Sequence, residues 1–270
     1  MDKKRHLKKF ENISVYESQK DEVMNKPHVV LLTNSKEVIY VPQRNKDYYV
    51  SQPFTLVALE DGTMNIAMSD NSTSMHYALN DNDWVEMTEA VSLTMNANDK
   101  VKIKAIGTDF GLGCSSFISS SMLFDAEGNI MSLLYGDDFK DKTSLKGLTH
   151  LCFSELFANT NIVSAKNLIL PATTLVSYCY IGMFRNCTNL VEAPQLLAIT
   201  LTEGCYSYMF EGCSKLTKIT MLATDISAIG CLESWVAGVG SRGTFIKNAA
   251  MTTLPNGERG IPYDWDVENA

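Results

Sequence analysis

The side chains best suited to chemistry in this sequence are its 7 cysteines, and their spacing is regular. Cys152, Cys179, Cys205 and Cys231 follow one another at intervals of 27, 26 and 26 residues. Cys187 and Cys213 each lie 8 residues beyond a member of that series, and Cys114 stands apart. Thiols can pair as disulfides, ligate zinc or act as nucleophiles. Zinc is disfavoured, because no Cys-x-x-Cys pair occurs and His6, His28, His76 and His150 are scattered. A disulfide framework stays open in principle. One cysteine per register position fits better with a column of reduced thiols, each filling the same small apolar slot in successive units.

Other constellations point to turns. Gly111-Leu112-Gly113-Cys114-Ser115 lacks the third glycine and the Gly-Lys-Ser/Thr ending of a phosphate loop, so a plain loop is expected. No Gly-x-Ser-x-Gly elbow is present. Asn80-Asp81-Asn82-Asp83 lacks the glycine and distal glutamate of a calcium loop and reads as a turn. Asp137 and Asp138 are adjacent and cannot face each other as an acid–base pair; both are expected to cap a helix. Asn71-Ser72-Thr73 is a glycosylation triplet, meaningful only on an exported chain. No catalytic, cofactor-binding or metal-binding residues are expected, and the chain does not read as an enzyme.

The elements around these residues are repetitive. Cys179–Leu190 (CYIGMFRNCTNL) and Cys205–Leu216 (CYSYMFEGCSKL) match at Cys, Tyr, Met, Phe, Cys and Leu. Weaker copies begin at Cys152 and Cys231. A period of roughly 20–29 residues is that of leucine-rich repeats, whose units bury their apolar side only by stacking. Each unit is expected to be a short helix with Cys179, Met183 and Phe184 on one face, broken at Asn186 or Gly212. A strand follows, at Leu190–Pro194 and Leu216–Thr220.

Upstream, residues 1–26 are charged and read as a solvated tail or an arm that orders on a partner. Leu7, Phe10, Ser14 and Glu17 would share one face of a short helix there. Val29–Leu32 and Val38–Val41 around Asn34–Lys36 read as a hairpin, which is marginal alone in water. Residues 51–135 carry alternating strands with frequent turn signals, as in a small sandwich; in Lys100–Ile106, Val101, Ile103 and Ala105 face inward. Gly136–Phe139 reads as a turn into a capping helix. Thr244–Lys247 reads as a last strand, and Pro262–Trp265 as a turn that packs an aromatic pair.

The expected fold is therefore α+β: an arm with a β-hairpin (1–50), an all-β sandwich domain (51–135), a leucine-rich-repeat solenoid of α/β coils (136–247) and a C-terminal cap (248–270). The formal net charge of −8 argues against nucleic acid as a partner. No run of about 18 apolar residues exists to span a membrane. The basic start, MDKKRHLKKF, has no apolar stretch after it, so no secretory signal is expected.

The repeat units, Leu170–Leu175 (LPATTL) and the tail from Ala223 to Val267 resemble BspA-like leucine-rich-repeat surface proteins of gut bacteria and their phages. EDGTMNIAM, NANDKVKIKAIG and GNIMSLLYGDDF resemble the module that commonly precedes those repeats. The first repeat lacks its second cysteine, the repeats are few and the usual leader is missing. Residues Lys3–Gln43 resemble the N-terminal segments of phage virion proteins. Together these resemblances imply a non-enzymatic virion component, a head or tail fibre or capsid decoration protein, on the virion surface. It would be attached to other virion proteins through the arm, would form a homo-oligomer (dimer or trimer), and would display the repeats toward a host-surface protein or glycan. The alternative is a bacterial cell-surface adhesin; an enzyme with an unrecognised site is the third. The strand residues Glu192, Gln195, Thr217 and Lys218 are the expected binding face, and Tyr40, Tyr48 and Tyr49 the expected anchoring residues.

Overall fold

A computed structural model describes residues 8–10, 28–32, 38–42, 46–68, 72–107, 117–148 and 150–270. The chain divides into two compact units, Met1–Tyr49 and Val50–Ala270. The Asn34–Lys36 turn, the Gly111–Ser115 loop with Cys114, and most of the charged arm lie outside the described residues.

In the first unit, β1 (Lys8–Phe10), β2 (His28–Leu32) and β3 (Val38–Pro42) form an antiparallel sheet in the order β1-β3-β2. The expected hairpin strands pair with Leu32 opposite Val38 and His28 opposite Pro42. Of the short helix expected to carry Leu7, Phe10, Ser14 and Glu17, only residues 8–10 are described, and they form a third strand instead, with Lys8 opposite Tyr40 and Phe10 opposite Val38. A third strand supplies pairing that a lone hairpin lacks. A short helix, α1 (Lys46–Val50), follows.

The second unit is mostly β. Its first strands are β4 (Phe54–Ala58), β5 (Gly62–Ile66), β6 (Ser72–Leu79), β7 (Val85–Glu86), β8 (Val91–Met95), β9 (Lys100–Gly107), β10 (Ile118–Ser120) and β11 (Phe124–Asn129). Then come α2 (Ser132–Tyr135), β12 (Ile162–Ile169), β13 (Glu192–Leu196), β14 (Lys218–Met221), β15 (Thr244–Lys247) and β16 (Asp266–Asn269). A small antiparallel sheet runs β10-β5-β8, and a ten-stranded sheet runs β16-β15-β14-β13-β12-β11-β4-β9-β6-β7. Val101, Ile103 and Ala105 on β9 are buried, as their alternation predicts. They share one apolar cluster with Met64 and Ile66 of the small sheet and with the rings of the repeats. Asn80 and Asp81 take φ of 53° and 64°, and Asn82 N–H donates to Leu79 O at 3.0 Å, a tight hairpin-type turn where one was expected.

Strand β11 joins the two halves. It pairs antiparallel with β4 and parallel with β12, and every later pair out to β16 is parallel. Two buried polar side chains pin this junction. Asn129 donates from Nδ2 to Val50 O (3.1 Å) and accepts from Met131 N–H (3.0 Å). Ser132 Oγ accepts from Phe54 N–H and donates to Ile103 O, both at 2.9 Å. Gly128 is obligatory here: its φ is +83°, and a Cβ would stand 2.1 Å from Pro53 O. The first coil thus meets the front strands edge to edge. Asp137 and Asp138 sit in a 3-10 turn (Gly136–Asp138) with no side-chain cap; Asp137 instead binds Lys104 Nζ at 2.8 Å.

The coils stack as expected, but they are not α/β coils. The segments expected to be helical are chains of turns, with residues in the left-handed region at every fourth position. These are Leu151, Glu155 and Asn159; Tyr178, Gly182 and Asn186; Gly204, Tyr208 and Gly212; and Gly230, Ser234 and Gly238. Alternate N–H groups then point two ways. Met183 and Arg185 donate back to Tyr180 O (3.2 Å) and Gly182 O (2.9 Å) within the coil. Gly182 and Phe184 donate to Ser207 O (2.8 Å) and Met209 O (2.9 Å) of the next coil. The pattern recurs from coil to coil, so the back of the solenoid carries its own inter-coil ladder opposite the parallel sheet. An α-helix would return every N–H to its own i−4 carbonyl and leave none for a neighbour.

Packing fills the space between the two ladders. Phe54, Phe157, Phe184, Phe210, Trp235 and Phe245 form a column with centroid separations of 5.9, 5.1, 5.6, 6.1 and 6.0 Å. Phe153, Tyr180 and Tyr206 form a second, at 5.6 and 6.1 Å. At the far end Trp235 and Trp265 donate their indole N–H groups to Gly260 O (2.9 Å) and Gly240 O (2.7 Å). β15 matches the expected last strand, and β16 adds one more. The aromatic pair expected in Pro262–Trp265 does not form: Trp265 is buried at 6% exposure and Tyr263 is exposed at 69%.

Candidate binding face

Most residues able to do chemistry are consumed by coil stacking. Cys152, Cys179, Cys187, Cys205, Cys213 and Cys231 are buried thiols outside any disulfide. Cys187 Sγ donates to Phe157 O at 2.9 Å and Cys213 Sγ to Phe184 O at 3.0 Å, each bridging to the preceding coil. Thr160, which stands where the second cysteine of the first repeat would be, lies 3.7 Å from Cys187 Sγ. Burial pushes Cys187 up to about 11 and Cys205 to about 12, and holds Cys179 and Cys213 well above the ordinary value. These thiols stay protonated at neutral pH and are poor nucleophiles and ligands. Among the described residues no group of three His, Cys, Asp or Glu side chains converges as a metal would require.

The sheet's outer face is one place where polar side chains converge. Register sets Ser164 beside Glu192 and Glu192 beside Lys218, while Gln195 lies beside Thr220. Lys166 reaches across from β12 and binds Glu192 Oε2 at 3.0 Å. Lys166, Asn167, Glu192, Ala193, Gln195, Lys218 and Thr220 line a shallow depression of about 200 Å³. The geometry brings together three of the expected residues: Glu192, Gln195 and Lys218. It does not bring Thr217 to them. Thr217 precedes β14, and its N–H (3.1 Å) and Oγ1 (3.4 Å) both donate to Val191 O of the preceding coil.

Lys166, Asn167 and Thr220 were not expected on this face. Lys166 and Asn167 lie on β12, where no strand was expected, and Thr220 closes the expected strand Leu216–Thr220; the parallel register brings the three together. Asp125 on β11 is a further neighbour. Desolvation raises its pKa above the ordinary carboxylate value, opposed by a backbone hydrogen bond from Ser164 and by the charge of Lys166. Its Oδ1 is buried with no hydrogen-bond partner among the described residues. The ion pair Lys166–Glu192 is half exposed and contributes on the order of 0.2–1 kcal/mol. The face therefore offers both charges and amide groups to a polar partner, with little stability at stake.

The tyrosines expected to anchor the arm lie on two different elements. Tyr40 occupies the middle of β3, opposite Lys8 on one side and Val30 on the other. Tyr48 and Tyr49 lie on α1, with ring centroids 5.3 Å apart, edge to face. No family model, no curated protein and no solved structure was found to match the chain. Among the described residues, no helix is long and apolar enough to cross a membrane.

Proposed function

We propose that this protein is a non-enzymatic virion structural component. It would be a head or tail fibre or a capsid decoration protein, held to the phage particle by its N-terminal arm and displaying the repeat module outward. The observation that carries this reading is the division of the chain at Tyr49/Val50. The residues from Val50 onward build a ten-stranded and a three-stranded sheet around one apolar core, with the described thiols and the two ring columns committed to packing. Such a body is suited to presenting a surface, not to turning over a substrate. The preceding unit has a three-stranded sheet of its own and is the segment left for attachment. The resemblance of the repeats and tail to BspA-like surface proteins supports display, and that of the first forty residues to virion proteins supports attachment.

On this reading the polar face of Lys166, Glu192, Gln195 and Lys218 meets a host-surface protein or glycan, and the protein acts as a homo-oligomer, as fibres generally do. Mass spectrometry of purified particles tests it. The chain should be present at structural copy number; its absence from particles, or its recovery on intact phage-free cells, would overturn the proposal.

A further inference from the structure

The C-terminal cap presents one ring that its packing leaves outside. Ile261, Pro262 and Trp265 are buried, yet Tyr263 between them is 69% exposed. The base beneath it is fixed. Ile261 N–H donates to Pro255 O at 2.8 Å, Trp265 is tied to Gly240 O, and Asp264 makes the turn with φ of +62°. The hydroxyl end rests against Gly257, where an added Cβ would come within 3.1 Å of Oη. Two depressions of about 300 and 510 Å³ meet at this ring and share Gly257 and Glu258. A ring held in place with its face in water loses little freedom when something stacks on it.

The charges around the ring select what can stack. Arg259 is occupied by Glu233, with 2.6 Å between Nη2 and Oε1. Glu258 and Asp264, which line the first depression, form no side-chain ion pair or hydrogen bond among the described residues. The free groups are therefore acceptors and negative. They suit a ligand rich in hydroxyl donors and repel an anion.

We propose that Tyr263, Glu258 and Asp264 form a subsite for a neutral pyranose sugar, whose C–H face lies on the tyrosine ring while the two carboxylates accept its hydroxyls. The subsite rests on the display reading for its setting and names a ligand class for it, at the cap and not on the sheet face. Saturation-transfer NMR on the full chain tests it, with methyl β-galactopyranoside, methyl α-mannopyranoside and N-acetylglucosamine as probes and N-acetylneuraminic acid as the anionic comparison. Transfer to the ring C–H protons of at least one neutral probe is expected, and none to the acid. Tyr263→Ala should weaken binding at least tenfold with unchanged melting, and Tyr263→Trp should keep it. No transfer to any neutral probe, equal transfer in Tyr263→Ala, or preference for the acid would overturn the subsite. Particle mass spectrometry is independent of all these outcomes, so either idea can fail without the other.

Discussion

Replacing Phe184 by alanine perturbs the protein where its packing is most regular. The ring is fully buried and stacked between Phe157 at 5.1 Å and Phe210 at 5.6 Å, nearly parallel to both at 5° and 16°. Truncating a buried phenylalanine costs about 3–5 kcal/mol, through lost transfer energy and the cavity left behind. Two ring contacts go with it, each about 0.5–1.5 kcal/mol, and turn ladders on both sides hold the neighbours apart, so the upper half of the range is expected. For a unit of this size, 1 kcal/mol moves Tm by roughly 2–4 °C, giving a fall of about 8–20 °C. Differential scanning calorimetry of the full chain should show the Val50–Ala270 unit still melting in one transition, because Phe54 of the front strands closes the same column. Phe184→Leu keeps most of the buried apolar volume but loses the stacking, and should cost about 1–3 kcal/mol. A shift equivalent to less than about 1 kcal/mol, or a front half that melts unchanged while the coils melt early, would refute the shared column.

Three further outcomes follow from named residues. The unfolded thiols ionise near the ordinary value of 9.0, while folded Cys187 and Cys205 wait until about 11 and 12. Folding stability is therefore whole below pH 9 and falls as pH rises toward 11, by about 1.4 kcal/mol per pH unit per such thiol; Tm measured from pH 7 to 10.5 checks this, and a flat profile contradicts it. Gly128→Ala should destabilise by more than Gly147→Ala in urea melts. Both have positive φ, worth about 1–2 kcal/mol of strain, but only Gly128 would also strike backbone, as nothing lies within 4 Å of a Cβ at Gly147. Asp125→Asn should raise Tm at pH 7 and lose that advantage below pH 4. A carboxyl whose folded pKa is raised contributes stability only while protonated, and that contribution goes as pH rises through its range; a lower Tm at pH 7 would contradict it.

The repeat was legible in the sequence because Cys, Met, Phe and Leu recur in register, and stacking is the only way such units can bury them. The helices were misread for a physical reason. Apolar residues at i, i+4 and i+5 share a face in an α-helix, and they do so equally in a run of turns with a left-handed residue every fourth position. The distinguishing signal was present: Gly182 and Asn186 lie four residues apart, and Gly204 and Gly212, like Gly230 and Gly238, lie two such steps apart. β16 was missed because all four of its residues are exposed, leaving no alternation to read. β1 was missed because a charged three-residue strand carries no pattern of its own. On the candidate face, Glu192, Gln195 and Lys218 were legible as outward strand residues, whereas Lys166 and Asp125 needed the register across β11, β12 and β13. Tyr263 was read as a packing residue, since sequence alone does not say which of two neighbouring aromatics faces water.

The bond made by the Phe184 amide tests the coil architecture most directly. Scalar coupling across hydrogen bonds, measured by long-range HNCO on the deuterated full chain, identifies which carbonyl accepts it. Coupling from Phe184 N to the Met209 carbonyl is the predicted result. Coupling to the Tyr180 carbonyl, the α-helical partner four residues back, would contradict the account.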